Sequence, residues 1–500
     1  MPIDFHLSAS ESGTQAAAAS FAQNVLGDPS YAYMPYVSHK DRFQASWLIY
    51  EAGVTSGLIK RQLSPSVGGG AGSLVEAAIL VEEFYAVDQS ATLTILATGL
   101  GLTPFNLVQN PEKNEFLAPF LSETGAPLAS LVFSEPGGVA NWLEKGGKGL
   151  NTTARKEGEE WVLNGEKIWA TNSAGWDFKG ADLACVVCRD VTKSPDQQDK
   201  EQDPRDSIMI LLVTREDLDR NGPGAFKVLR QFETMGHTSV SGPHIKYTNV
   251  RVPSKNVLCM PGEGAAIVNG SFDCSAVLVG AMSVGIMRAA FDAALAFVKD
   301  HDCRGAVPLL ERQAVADLLS SIKMQTEACR ALTWKAAHAM ENGPGDYDAR
   351  RELALSAKVY CSDNAVKAVT EAINAVGITA YDTSQPFAGL LSNAMVLPIF
   401  DGGNITKNSM SDNKEPKYPQ PAHIRTPRRP ETPVEYPEKR KQEDSEKTNS
   451  LDWLKEADDY EPLKQDPKKD QPKEDKKQDS GGKTGLPDWV VKADNDKSKN

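Results

Sequence analysis

The stretch "PLASLVFSEPGG", residues 127–138, is where the hydrophobic period of the chain changes. Before it, apolar residues recur at helical spacing. "SASESGTQAAAASFAQNVL" opens on serines placed to cap a helix, with a glutamate behind them. "SLVEAAILVEEFYAVDQSATLTILATGLGL" is long and apolar, with acids along one side. After it come "NTTARKEGEEWVLNGEKIWATN", "ADLACVVCRD", "SIMILLVTRE", "GAFKVLRQFET" and "PHIKYTNVRVP". These runs are short, rich in β-branched and aromatic residues, and divided by Gly, Asn, Asp and Pro, the pattern of a small β-domain. Within "EEWVLNGEKIW" the Asn-Gly dipeptide predicts a two-residue hairpin turn. From about residue 260 the helical period returns. "VLVGAMSVGIMRAAFDAALAFVKDH" is small or apolar nearly all round, which predicts a buried helix, and two more long segments complete a bundle.

The chain of 500 residues therefore divides into an α+β multidomain arrangement. Residues 1–125 are expected to form an N-terminal helical domain and 126–255 a middle β-barrel or sandwich domain. Residues 256–408 would form a four-helix-bundle-like C-terminal domain, and 409–500 a disordered tail. The tail holds 11 of the 30 prolines and charged runs such as "DPKKDQPKEDKKQD". Its isolated apolar residues cannot offset the entropy of ordering. "SPDQQDKEQDPRDS" reads as a polar surface insertion between strands.

Net charge is −13, and no basic stripe with interleaved aromatics runs through the first 400 residues, which argues against nucleic acid as a partner. Seven scattered cysteines, an odd number, fit reduced thiols and an intracellular, cytoplasmic setting. Cys185 and Cys188 form a CxxC inside an apolar strand pattern, where packing explains them better than metal or redox chemistry. No membrane span is expected, because polar residues break every apolar stretch of about 18 residues. "SPSVGGGAGS" before a helix has the glycines of a phosphate cradle but not the lysine, and reads as a flexible loop.

Near residue 400, in "VLPIFDGGN", an apolar run ends on a single acid, Asp401, followed by Gly402 and Gly403. An Asp before two glycines is by itself the composition of a turn. Five strings change that reading: "VFSEPGG" (132–138), "NGEKIWATN" (164–172), "ETMGH" (233–237), "NVRVPSKNVL" (249–258) and "PIFDGGN" (398–404). In this order they resemble the acyl-CoA dehydrogenase superfamily of flavoproteins, over about residues 1–405.

The resemblance implies FAD as cofactor. By position, Leu131, Val132, Phe133 and Ser134 would lie along the flavin ring. Ala140 and Asn141 would follow in the same loop, and Trp169, Ala170 and Thr171 would pack and hydrogen-bond beside it. Arg304, Gln313, Asn374 and Gly377 would reach the FAD of a neighbouring subunit, which implies a homo-oligomer, a dimer or tetramer. Asp401 falls where the family places its catalytic base, with Ser275 as a partner of Asp401 or of substrate and the glycines as clearance for the flavin.

Two departures bear on the substrate. CoA-using members carry Glu-Pro-Gly-x-Gly-Ser-Asp, where this chain has "EPGGVAN" with Ala140 in place of the serine. They also carry an Arg soon after a Phe-Asp pair, where this chain has Ser275 and Ala276 after Phe272 and Asp273. Losing these polar groups removes contacts to a phosphate-rich thioester. Within the superfamily, "SEPGGVANWLEKGGKGLNTTARK" and "GWDFKGADLACVVCR" resemble the nitroalkane-oxidising branch, which implies nitroalkane plus oxygen to an aldehyde or ketone, nitrite and hydrogen peroxide. Dehydrogenation of an acyl-CoA is the alternative. A flavin-binding scaffold without turnover is a second one, because the family's arginine seven residues past the base is Asn408 here.

Overall fold

The computed structural model describes residues 6–192, 203–343 and 345–404. The tail expected over 409–500, Asn408 and most of the polar insertion lie outside the described residues. The helices are α1 (Ala9–Phe21), α2 (His39–Ala45), α3 (Trp47–Thr55), α4 (Leu74–Tyr85), α5 (Gln89–Val108) and α6 (Ala118–Leu121). They continue with α7 (Arg215–Asn221), α8 (Gly264–Asp300), α9 (Gln313–Asn342), α10 (Tyr347–Val376) and α11 (Phe387–Ala394). The strands are β1 (Ala129–Val132), β2 (Thr153–Glu157), β3 (Glu160–Ile168) and β4 (Leu183–Asp190). β5 (Ile208–Thr214), β6 (Phe226–Arg230), β7 (His244–Pro253) and β8 (Val257–Cys259) complete the set.

Local chemistry sets the helix starts. Ser8 and Ser73 each close a capping box, with Glu11 and Glu76, so the residue after "GGGAG" is a helix cap. The long segment 73–102 is two helices rather than one: the chain turns at Ala86–Asp88, and the Asp88 carboxylate accepts from the Ala91 N–H to start α5.

The strands form one sheet in the order β6-β7-β3-β2-β4-β5-β8, with β1 parallel on β4. The sheet curls until β5 approaches β7, although three strands separate them in the order. Val132, Val186, Leu211, Trp161, Tyr247 and Val250 fill the space inside the curl. The opposite face, with Leu131, Leu183, Cys185 and Leu212, packs with Tyr50, Ile95 and Phe105 of the helices. The sheet runs on to Cys259, past the boundary expected at 255. Because side chains alternate along a strand, Cys185 and Cys188 point to opposite faces. Burial pushes the Cys188 thiol up to about 12.

The hairpin expected at Asn164-Gly165 is not there. Asn164 and Gly165 lie inside β3, at a bulge in its pairing with β7. The turn comes six residues earlier, at Gly158-Glu159 between Glu157 and Glu160, with Gly158 at φ 63°. Thr152 lies so close to Gly165 that a Cβ there would sit 2.5 Å from its Oγ1, so the glycine serves close approach, not reversal.

The bundle also differs from its expected composition. α8, α9 and α10 pack together, and α4 from the first block lies among them, with Ala78, Val81 and Tyr85 in the same core as Met287, Ile322 and Val369. Glu82 on α4, nearly buried, is held by Arg288 of α8 and Arg330 of α9. All described residues thus belong to one compact unit. α5 and α8 are long and apolar enough to cross a membrane, but both are two-thirds buried against the rest of the protein, and core burial accounts for their apolarity.

Candidate active site

A cavity of about 1560 Å³ opens between the sheet and the bundle. Its sheet side is built from the residues after β1 and β3. The carbonyl of Phe133 and the carboxylate of Glu135 both accept from Lys167 Nζ, at 2.8 and 3.0 Å. Glu135 also accepts from the backbone N–H groups of Asn151 and Thr152. This ion pair is fully buried and holds the "FSEP" turn against β3, while the Ser134 carbonyl takes the Ile168 N–H.

Directly beyond lies Trp169, at φ 62° and 53% exposed, stacked on Phe232 with centroids 4.2 Å apart. Asn172 ties this loop down by donating to the Thr94 carbonyl and Thr98 on α5. Leu131, Phe133, Ser134, Ala140, Trp169, Ala170 and Thr171 line the cavity. Val132 sits in the core inside the sheet curl, because the strand alternates its faces, and the exposed Asn141 is not part of the lining.

The opposite wall carries Asp401. Phe400 donates back to the Val396 carbonyl, and the chain then reverses through two left-handed residues, Asp401 at φ 53° and Gly402 at φ 81°. Asp401 is half-buried, and its carboxylate accepts a hydrogen bond from the Ser275 hydroxyl on α8. Asp401, Gly402, Gly403 and Ser275 all line the cavity. Asp273, two residues before Ser275, also lines the cavity and is held in an ion pair with Arg351 at 2.8 Å, taking the Tyr347 hydroxyl at 2.9 Å. Ala276 is fully buried in the helix packing.

Sequence reasoning did not single out the groups that brace these walls. His237, at the end of "ETMGH", is buried and lines the cavity. Its backbone N–H donates to Asn393 Oδ1 at 2.6 Å, and its ring Nε2 lies 3.4 Å from the Tyr85 hydroxyl. Burial pulls its pKa down to about 4, so the imidazole is neutral at neutral pH. Tyr85 is pushed well up, by burial first and then by the charges of Asp401 and Asp88. Lys358 and Asn404, behind the Asp401 turn, were equally unmarked.

Four expected FAD-binding residues lie elsewhere. Arg304, Gln313, Asn374 and Gly377 are on the surface and outside the cavity lining. Arg304 sits at φ 65° in the loop after α8, and Gln313 bonds Asp317 at 2.7 Å.

Comparison with known proteins places this geometry. Residues 262–410 match the acyl-CoA dehydrogenase C-terminal domain family. Nitroalkane oxidase from Podospora anserina is 66% identical over 406 residues, covering 81% of this chain and 94% of that one. The chain belongs to the acyl-CoA dehydrogenase superfamily. It is an FAD-dependent oxidoreductase of that superfamily. Nitroalkane oxidase from Fusarium oxysporum is 46% identical over 406 residues, covering 81% and 92%. The solved Podospora anserina structure superposes with a TM-score of 0.81 at 64% identity, covering 84% of this chain and 98% of that one. A solved nitroalkane oxidase active-site variant, with an aspartate replaced by asparagine and crystallised with 1-nitrooctane, gives 0.80 at 43% identity, covering 83% and 98%.

The superfamily's cofactor fits what the chain presents. The cavity exceeds the roughly 300–1,000 Å³ that suffices for a drug-sized ligand, which leaves room for a dinucleotide and a substrate together. A tryptophan held in left-handed backbone, half-exposed beside the cavity, offers a flat aromatic surface. The lining is mainly apolar, with the Ser134 and Thr171 hydroxyl residues among it.

Proposed function

We propose that the chain oxidises nitroalkanes, with Asp401 as the base that removes the α-proton. One observation carries this: the half-buried Asp401 carboxylate stands on the cavity wall across from the Trp169 loop, at the apex of a reversed turn, with the Ser275 hydroxyl bonded to it. A carbon acid needs a carboxylate held away from bulk water within reach of its α-carbon. Ser275 Oγ–H donates to Asp401 Oδ2, which orients the carboxylate on the cavity wall. Leu278, Met282 and Phe400 line the adjoining wall and keep water from the carbanion. FAD, when bound, accepts the electrons of the oxidation. Ser134, Ala140, Trp169, Ala170 and Thr171 would hold its ring system, and Gly402 and Gly403 would let the backbone approach it.

Arg304, Gln313, Asn374 and Gly377 would serve the FAD of a second copy of the chain. Their exposure, and their place outside the lining of this chain's own cavity, support that assignment.

Anaerobic bleaching of the bound flavin tests the substrate. Nitroethane is expected to bleach it and butyryl-CoA to leave it oxidised. Bleaching by the thioester alone would overturn the nitroalkane reading in favour of acyl-CoA dehydrogenation. Bound flavin unreactive to both would leave a scaffold.

A further inference from the structure

The Asp401 turn rests on a side chain that comes from far away in sequence. Lys358, in the middle of α10, is fully buried, on a helix face otherwise made of Ala354, Ala357, Cys361 and Ala365. Burying an ammonium is costly unless its protons are bonded. Lys358 Nζ donates to the Pro398 carbonyl at 3.3 Å, the Gly402 carbonyl at 3.0 Å and Asn404 Oδ1 at 2.6 Å. Two of these acceptors are backbone groups on either side of Asp401. The third is anchored in turn: Asn404 Nδ2 donates to Ser362 Oγ at 3.0 Å and Asp363 Oδ1 at 2.9 Å, both on α10. The Asn404 N–H closes the loop onto the Pro398 carbonyl at 2.8 Å. The segment 398–404 is thus strapped to one helix at both ends, with the carboxylate at its apex.

Backbone conformation shows why a strap is needed. A non-glycine residue in the left-handed region costs roughly 1–2 kcal/mol, and such a residue persists only where its surroundings over-determine it. Asp401 adopts that conformation and Gly402 continues it. A relaxed turn would swing the carboxylate away from Ser275 and out of the cavity wall.

We propose that Lys358 is the positioning residue for Asp401, acting through the Pro398 and Gly402 carbonyls to fix where the carboxylate meets the substrate carbon. This rests on Asp401 being the base. The ammonium touches neither substrate nor cofactor in this role. What it controls is one step, proton removal, so its loss should fall on substrates that still carry the proton.

The test compares nitroethane with its preformed anion, which needs no base, on the full-length FAD-loaded enzyme. Lys358→Met keeps the chain length and removes the ammonium. It is expected to lower kcat/KM for nitroethane on the order of 10²-fold, the size of a misplacement near 1 Å, with the anion oxidised within a few-fold of the parent rate. Equal losses on both substrates, or no loss on either, would overturn the proposal.

If Lys358→Met does not hold FAD, Asn404→Ala decides. It leaves the lysine in place and removes one anchor, and it should show the same split at smaller size; no split overturns the proposal. Asp401→Asn separates the two ideas. If it loses nitroethane but keeps the anion while the Lys358 and Asn404 variants show no split, the base stands and the lysine's role falls. If Asp401→Asn keeps full activity on nitroethane, the base assignment itself falls.

Discussion

Two buried lysines brace the two walls of the cavity, by different physics. Lys167 holds the Phe133 carbonyl on the sheet side, and its charge is met by Glu135 in the loop it holds. Lys358 holds the Pro398 and Gly402 carbonyls on the helix side, and adds the amide oxygen of Asn404. In the first brace an ion pair is sealed from water at both ends. In the second, two peptide carbonyls and a side-chain amide share one ammonium, behind a turn whose Gly402 lines the cavity. An ion pair that loses one member strands the other, whereas a carbonyl that loses a donor beside a cavity can be rehydrated. The sheet wall should therefore fail as a fold, and the helix wall should fail as a catalyst.

The largest expected effect follows from that contrast. Lys167→Met leaves Glu135 charged and buried, and breaking a buried pair this way costs about 3–5 kcal/mol. Urea unfolding at neutral pH should show that loss, and the variant should bind FAD poorly. Adding Glu135→Leu should recover part of it, since removing both charges removes the stranded one. If Lys358→Met destabilises the protein more than Lys167→Met does, the contrast is wrong.

The same contrast explains what could be read from the sequence. Phe133, Ser134, Trp169 and Thr171 sit in two short strings that carry the family resemblance, and through it the sheet wall was legible. Asp401 and Ser275, 126 positions apart, were legible through the resemblance, which left Ser275 to bond either Asp401 or substrate; the fold gives it to Asp401. Lys358 left one local trace, a charge on a face of alanines, which says that partners exist but not which. Backbone carbonyls have no sequence signature, so Pro398 and Gly402 could not be named as its acceptors. Asn164-Gly165 misled because a dipeptide that favours a turn also suits a bulge, and cross-strand crowding by Thr152 decided between them. The break after α4 was marked by Asp88, a good cap inside an apolar run. The fourth member of the bundle was hidden, because nothing local says that α4 pairs its acids with Arg288 and Arg330.

His237 lies where the two walls meet, and pH reports on that junction. Its segment packs beside Trp169 through Phe232, while its N–H reaches Asn393 on the side of Asp401. Burial lowers its pKa to about 4 from an ordinary 6.5. A histidine lowered in the folded state binds protons more readily when unfolded. Its contribution is therefore whole above about pH 6.5 and is lost as the pH falls toward about 4. The full swing is up to about 3 kcal/mol. His237→Asn keeps a side chain that tolerates the left-handed backbone at this site, φ 50°. Unfolding free energies measured from pH 7 to 4.5 should fall more steeply in the parent than in this variant. Parallel slopes would mean that His237 is hydrated enough to protonate in place, and that the junction is open.

The smallest effect sharpens the helix wall itself. Ser275 comes from α8 and Lys358 from α10, so the Asp401 carboxylate and its backbone are held from two helices. Ser275→Ala removes the donor to the charged carboxylate without touching the turn. A hydrogen bond to a charged group contributes about 1.5 kcal/mol, equivalent to about one pH unit. Losing a donor to the charged form disfavours that form. The acidic limb of the kcat/KM profile for nitroethane should therefore move up by about one unit, with the flavin spectrum and the urea midpoint nearly unchanged. Lys358→Met removes a nearby positive charge and should move that limb the same way, but it should also lower the plateau at every pH, because the placement of the carboxylate is lost as well. If both variants only lower the plateau, the serine orients substrate rather than tuning the base.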